Sequence, residues 1–335
     1  MLFIMPHNQH MSMPFCAGVQ SIYNWQKPYY NMPMELAHIS FNQILIMFIL
    51  MAIGLICAKV KLIDEDMNKK LSSFIMLLVN PMIIFISYQR DFTAELLNGL
   101  FLSFGLAIVS YAICIPIVHF IFRKKSEDNA IEKFACIYSN CGFIGIPLIQ
   151  GIFGLEGIFY LTAYLTIYNL LAWTHGMMVM SGRSDRKSFL IAFKSPAIIA
   201  VFLGFLFFIL KITLPPIVAQ PLTQLGNMNT PLAMIVAGVS VSQANVAKIV
   251  KNIRVYRILL IRLAILPLII VFAFSFFKLP AILTGTIIIA AACPVGANTI
   301  LFAYRYNRNH LYATELFVAT TICSMISIPV ILFFI

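Results

Sequence analysis

Long runs of apolar residues without a charged side chain follow one another along most of the chain. Ten such stretches are long enough to matter, at 36–58, 71–89, 96–122, 134–155, 157–182, 195–210, 212–247, 263–277, 279–304 and 316–335. A helix of about 20 apolar residues crosses a hydrocarbon core of about 30 Å. Because lipid offers no partner for backbone N–H and C=O groups, spanning segments with this pattern are helices. The pattern predicts an all-α polytopic membrane protein with ten transmembrane helices.

Basic residues cluster in alternate loops, after the first, third, fifth, seventh and ninth stretches. The chain has 23 Lys and Arg residues, and four of them lie outside these loops: Lys27, Arg90, Lys211 and Lys278. Arg262 is counted with the basic residues that follow the seventh stretch, although it already lies in the next helix. Loops rich in Lys and Arg face the cytoplasm. We therefore expect cytoplasmic odd-numbered loops and a cell-membrane protein with both termini outside.

The composition agrees with this class. Hydrophobic residues make up 61% of the chain and charged residues 10%, with a mean hydropathy of +0.92, whereas soluble domains carry about 25% charged residues. The net charge of +11 is explained by the basic loops, so the expected partner is the lipid bilayer and not a nucleic acid. The seven cysteines form no CxxC pair, and we expect neither a metal nor a cofactor.

Two pairs of stretches carry similar interruptions. The second stretch contains LVNPMI around Asn80 and the seventh contains NMNTPL around Asn229, while Gly, Pro and Asn interrupt the fourth stretch at 139–147 and the ninth at 293–298. This recurrence predicts two copies of a five-helix unit. Since five is odd, the second copy enters the membrane from the opposite face. Inverted repeats with interrupted helices at matching places are typical of secondary transporters.

The first residues differ from the rest of the chain because they mix Pro, His, Asn and aromatic residues without a helical period. They also lack the features of a signal peptide, and Met34 is a candidate alternative start. The predicted division is a poorly ordered leader at 1–40, a first repeat at 41–181, a cytoplasmic linker at 182–194 and a second, inverted repeat at 195–335.

The interruptions also suggest a binding site. The exposed N–H groups at the start of a second half-helix favour an anion. Asparagine adds donors and an acceptor without a formal charge. The candidate substrate-binding side chains are Asn140, Asn298, Asn80, Asn229 and Ser139, and the crossover backbone comprises Gly142, Gly145, Pro147, Pro294 and Gly296. The alternative is that the asparagines only cap the interrupted helix ends.

The motif SNCGFIGIPLIQ at 139–150 resembles the broken fourth span of the auxin efflux carrier family, whose bacterial members include malate and malonate permeases. Gly54 before a basic loop, Asn80 followed by Pro, and AACPVGANTILFAYRY at 291–306 extend the resemblance. It implies a fold like that of bile-acid symporters and sodium/proton antiporters, with crossed broken helices. It also implies an organic-anion substrate whose carboxylate binds Asn140 and the 294–298 turn.

These observations predict a carrier, not an enzyme, for small organic anions such as mono- or dicarboxylates. None of the ten stretches contains Asp or Glu, which disfavours proton or sodium antiport through buried carboxylates. Export of an anion needs no such group, because the membrane potential drives it outward. Cation-coupled uptake, an anion channel and a membrane-embedded enzyme or assembly subunit are the alternatives. A homodimer is a candidate assembly.

Overall fold

The computed structural model describes residues 33–123, 126–182, 195–242, 246–277 and 279–334, and the regular elements within these ranges are helices. In chain order they are α1 (Pro33–Lys59), α2 (Glu65–Ser87), α3 (Ala94–Ile121), α4 (Asn129–Ile137), α5 (Cys141–Ser181), α6 (Pro196–Ile209), α7 (Pro216–Asn227), α8 (Asn229–Ser242), α9 (Val246–Lys251), α10 (Ile253–Ser275), α11 (Ala281–Ala292), α12 (Asn298–Arg305) and α13 (His310–Leu332). The prediction of an all-helical chain is confirmed for this part of it.

Polar residues in the loops start several of these helices. The Asp64 carboxylate accepts the Met67 N–H (2.7 Å) at the start of α2. Thr93 and Asn309 cap α3 and α13 in the same way. Such caps satisfy backbone N–H groups that have no partner within the helix. The apolar runs therefore become helices whose first turns are marked by the few polar residues between them.

Six of the helices are long and apolar enough to cross a membrane: α1 from Phe41 onward, α2, α3, α5, α10 and α13. Their outer faces expose large apolar side chains such as Ile49, Phe101 and Ile326. In water such surfaces would mark an interaction site, and on long apolar helices they suit contact with lipid. The chain is a polytopic membrane protein.

Gly154 divides α5 into two arms. The helix runs for 41 residues, which at 1.5 Å per residue is about twice the thickness of a hydrocarbon core. Gly154 has φ +63° and ψ −152°, a conformation that residues with a Cβ rarely adopt. The arms 141–153 and 155–181 are thus separate rods, close to the predicted boundary between the fourth and fifth stretches.

The predicted leader overlaps the first helix, while most of the predicted linker lies outside the described residues. Helix α1 begins at Pro33, so the end of the expected 1–40 leader is helical and Met34 lies in the first turn. Residues 1–32 lie outside the described part of the chain. The predicted linker at 182–194 also lies outside it, apart from Gly182, which ends α5 in the left-handed conformation.

Two helix pairs approach each other closely at glycine residues. A Cβ on Gly54 of α1 would lie 2.2 Å from the Ile235 carbonyl oxygen of α8, and one on Gly238 of α8 would lie 2.0 Å from the Met51 carbonyl oxygen of α1. In the second pair, Gly204 of α6 lies against the Tyr88 ring at the end of α2. Small residues at helix contacts are the usual way in which membrane helices pack.

Candidate functional site

The two interrupted helices meet at their breaks. The gap between α4 and α5 runs antiparallel to the gap between α11 and α12, and Ser139 forms an isolated β-bridge with Val295. Two backbone hydrogen bonds hold the bridge, from the Asn140 N–H to the Pro294 carbonyl (2.8 Å) and from the Gly296 N–H to the Tyr138 carbonyl (3.1 Å). We call this region the crossover. Each break thus satisfies part of the backbone that the other one exposes.

Glycine at position 296 suits this close approach. A Cβ at this position would lie 3.1 Å from the Ser139 carbonyl oxygen and 3.2 Å from that of Tyr138. Next to it, the Val295 N–H donates to the Thr320 hydroxyl of α13 (3.0 Å). Gly296 therefore allows the two backbones to pack at the crossover. It does not line the cavity, so it is not there to let a ligand approach.

One buried side chain binds the carbonyl groups at the ends of α4 and α11. The Arg262 guanidinium of α10 donates to the carbonyls of Cys136 (2.9 Å), Ala291 (2.8 Å) and Cys293 (3.0 and 2.8 Å). Arg262 is 1% exposed. Unsatisfied carbonyls in hydrocarbon cost several kcal/mol each, so these bonds support both breaks. Arg262 lies within a helix, as expected, but it is buried in the core and not exposed like the loop residues with which it was counted, because distant carbonyls satisfy it.

A cavity of about 330 Å³ lies beside the crossover. Its polar lining comes from Asn80, Asn140, Tyr168, Asn169, Ser195 and Asn298, and the rest of its lining is apolar or aromatic. The lining residues in the described part of the chain carry no formal charge. Small-molecule sites typically measure about 300–1,000 Å³ and combine an apolar wall with a few polar groups. The cavity suits a small polar solute.

Asn140 and Asn298, predicted from the two breaks, both line this cavity. The Asn140 side chain makes no capping hydrogen bond, and within the described residues its buried Nδ2 has no partner. The Asn298 Nδ2 donates to the Tyr168 hydroxyl (2.9 Å). Capping is thus not what these side chains do. Asn140 instead lines the cavity with a side chain whose buried amide donor has no partner among the described residues.

Asn80 and Asn229 differ in their roles although the sequence treats them as equivalents. Asn80 lines the cavity, whereas Asn229 is fully buried and absent from the lining. The Asn229 Nδ2 donates to the Asn80 Oδ1. Asn229 therefore orients Asn80, and only Asn80 is in a position to contact a solute.

The remaining predicted site residues belong to the crossover and its packing, except Gly142, which lines the cavity. Ser139 is wholly buried in the bridge, and the Pro147 carbonyl accepts the Gln43 side chain (3.3 Å). Five predicted site residues do not line the cavity: Ser139, Gly145, Pro147, Pro294 and Gly296. Gly142 does line it, and a Cβ there would have only the Asn80 amide nearby, at 3.8 Å.

The sequence interpretation missed the wall that α5 contributes. Leu165, Tyr168, Asn169 and Trp173 all line the cavity. Leu165, Asn169 and Trp173 recur every four residues and Tyr168 follows Leu165 by three, which places them on one helix face. The polar Asn169 within an apolar stretch was the available signal. Its neighbour Tyr168 carries no such signal, because an aromatic residue in a membrane helix is most often a packing residue.

A buried carboxylate was also missed. Glu132 is 1% exposed, pairs with Arg257 of α10 at 2.7 Å and accepts the Tyr312 hydroxyl of α13 at 3.1 Å. The charge-free stretch begins after Lys133, whereas α4 begins at Asn129. Glu132 therefore lies in the interrupted helix just before the predicted stretch, which itself contains no carboxylate. Glu132 is not among the residues that line the crossover cavity.

A larger cavity of about 690 Å³ lies among His119, Lys133, His175 and Arg308. The His119 and His175 rings lie 5.2 Å apart, and the Tyr138 hydroxyl bonds to the His175 Nδ1 (2.8 Å). The described part of the chain holds no group of three or more metal-ligating residues.

Long apolar helices around an interrupted-helix crossover define a polytopic membrane protein with a polar cavity in its interior. A family described as "Membrane transport protein" matches residues 39–332. The chain belongs to this family, the auxin efflux carrier family that its motifs resemble. An uncharacterized transporter of Methanocaldococcus jannaschii is 25% identical over 216 residues, 61% of this chain and 70% of the relative. The chain is therefore a membrane transporter and not an enzyme.

Proposed function

We propose that the protein is a secondary carrier for small organic anions, of the mono- or dicarboxylate class. The observation that carries the proposal is the meeting of Asn140 and Asn298, one from each break, in a single cavity. Amide and hydroxyl donors bind a carboxylate without a competing charge of their own. The volume of about 330 Å³ suits a solute of this size.

The carrier moves its substrate by alternating access around the crossover. We propose ten spans arranged as two inverted five-helix repeats, at 41–181 and 195–335. The packing supports this, because α1 lies on α8 through Gly54 while α6 lies on α2 through Gly204, which are reciprocal pairs in such a repeat. The hydrogen bond from the Asn229 amide to the Asn80 Oδ1 joins equivalent positions of the two units. Alternating access around a fixed midplane site follows from this symmetry.

The proposed orientation places the cavity open to the cytoplasm, with both termini outside the cell membrane. Ser195 and Pro196, at the start of α6, belong to the cavity wall and directly follow the basic linker at 182–194. Loops of this composition face the cytoplasm. An anion leaving a negative cell gains about 2.3 kcal/mol per charge per 100 mV. Export is therefore the proposed direction.

The test is a counterflow assay with the full chain in proteoliposomes, using radiolabelled malonate, malate and lactate. We expect uptake that saturates with concentration, is stimulated by unlabelled substrate inside the vesicle and is unchanged when potassium replaces sodium. Flux that rises linearly without counterflow would indicate an anion channel. Strict dependence on sodium would indicate a cation-coupled uptake symporter. The absence of flux for all three anions would contradict the substrate class.

A further inference from the structure

Arg262 is the fully buried cation in the described part of the chain. It is 1% exposed, and it lies in a π-helical turn of α10, Ile261–Ile265. Such turns are frequent at functional sites because they redirect a side chain within a helix. Here the turn places a guanidinium at the centre of the crossover.

The groups that the guanidinium binds are three carbonyls from two different helix ends. Cys136 lies in the last turn of α4, while Ala291 and Cys293 lie at the end of α11. Each helix end carries a partial negative charge from its carbonyl groups. The convergence of two such ends makes this a cation site, and Arg262 fills it with four hydrogen bonds of 2.8 to 3.0 Å.

The positive charge of Arg262 has no carboxylate beside it in the described part of the chain. The ion pairs between described residues join Lys69 to Glu65, Arg254 to Asp128 and Arg257 to Glu132. Partial charges on three carbonyls do not cancel a full charge. A positive potential therefore remains next to a cavity whose described lining is uncharged.

Carbonyls at the ends of half-helices are also the groups with which secondary transporters coordinate a coupling sodium ion. We propose that Arg262 is a built-in cation of the crossover, which occupies this carbonyl site in place of a coupling cation and makes the cavity selective for anions. The inference rests on the proposed function and deepens it. The charge of the substrate is balanced by the protein and not by a co-transported ion.

A short path connects the guanidinium to the cavity. Arg262 binds the Cys293 carbonyl, the next residue in the chain is Pro294, and the Pro294 carbonyl accepts the Asn140 N–H (2.8 Å). The Asn140 side chain lines the cavity. Arg262 thus acts through the crossover backbone as a positioning residue and through its field as a counter-charge.

Three variants separate charge from geometry. Arg262→Met removes the charge and the donors, while Arg262→Lys keeps the charge and loses the planar fork. Arg254→Met is the matched control, because it removes a basic side chain from the exposed start of the same helix.

Each purified protein is assayed by thermal unfolding with added guanidinium chloride or sodium chloride at low millimolar concentration, with potassium chloride as the salt control. Binding of malonate and lactate is measured on the folded fraction.

We expect guanidinium, and more weakly sodium, to raise the unfolding temperature of Arg262→Met while leaving the wild type unchanged, because the vacated carbonyls accept a free cation. We expect malonate affinity to fall at least about tenfold in Arg262→Met, within the range of coupling between linked sites. The fall for the monoanion lactate is smaller. Arg262→Lys stays within about threefold of the wild type, because its charge remains, and Arg254→Met binds like the wild type.

A purely structural role would lower stability in Arg262→Met and leave the preference for malonate over lactate unchanged, which would overturn the inference. A folded Arg262→Lys that loses malonate binding would overturn the role of charge. If Arg262→Met does not fold, its refolding in low-millimolar guanidinium would support the cation site, and failure to refold would count against it. The malonate affinity of Arg262→Lys then tests the role of the charge. If the wild type binds no organic anion, the proposed function fails, and the stability measurements with guanidinium still judge the cation site separately.

Discussion

The backbone N–H of Asn140 donates to the carbonyl of Pro294 over 2.8 Å, so the two halves of the chain are joined where each interrupts a helix. The bond lies beside the cavity, because Asn140 directly precedes α5 and lines the cavity, while Pro294 lies in the gap between α11 and α12. The side chains that follow these two positions face a shared space.

Asn140→Ala is expected to reduce transport strongly without removing the protein from the membrane. The buried Nδ2 of Asn140 has no partner among the described residues, so its loss leaves no other protein group unsatisfied. A hydrogen bond to a charged group is worth about 1.5–3 kcal/mol, so transport at low substrate concentration should fall at least about tenfold. Vesicle uptake measures this, with the exposed Asn98→Ala as the control. Wild-type flux in Asn140→Ala would count against the site.

Gly142→Leu is expected to block the cavity by its bulk. Gly142 lines the cavity with open space before it, since the nearest atom to a Cβ is the Asn80 amide at 3.8 Å. Gly105→Leu is the matched control, because a Cβ on Gly105 meets nothing within 4 Å and that glycine does not line the cavity. Uptake should be lost in the first variant and kept in the second. Equal uptake in both would place the transport path elsewhere.

Gly296→Ala is expected to destabilise the crossover. Its Cβ would lie 3.1 Å from the Ser139 carbonyl oxygen, and overpacking of this kind costs about 1–3 kcal/mol. The unfolding temperature in detergent should fall. Gly105→Ala should leave it unchanged or raise it, since an unstrained Gly→Ala change stabilises by about 0.4–1 kcal/mol. A Gly296→Ala protein as stable as the wild type would show that the bridge tolerates a wider spacing.

Glu132→Gln is expected to lower the unfolding temperature more than Glu65→Gln. Glu132 is buried and binds both Arg257 and Tyr312, whereas Glu65 and Lys69 form an exposed pair. Breaking a buried pair costs about 3–5 kcal/mol, and the half-exposed Arg257 keeps the effect below that range. An exposed pair is worth about 0–1 kcal/mol. Similar shifts in the two variants would indicate that water reaches Glu132.

The sequence by itself determined the membrane class, the positions of most helices, both interruptions, and the asparagines Asn80, Asn140 and Asn298 that line the cavity. These features depend on local composition, since an apolar run becomes a helix in lipid and Gly, Pro and Asn interrupt it. Only the tertiary structure decided that Arg262 and Glu132 are buried, that Asn229 holds Asn80, and that Tyr168 and its neighbours form the wall. In the sequence, a charged residue marks the end of an apolar stretch. It is buried only where hydrogen-bonding partners from distant helices satisfy it, and the sequence does not show those partners.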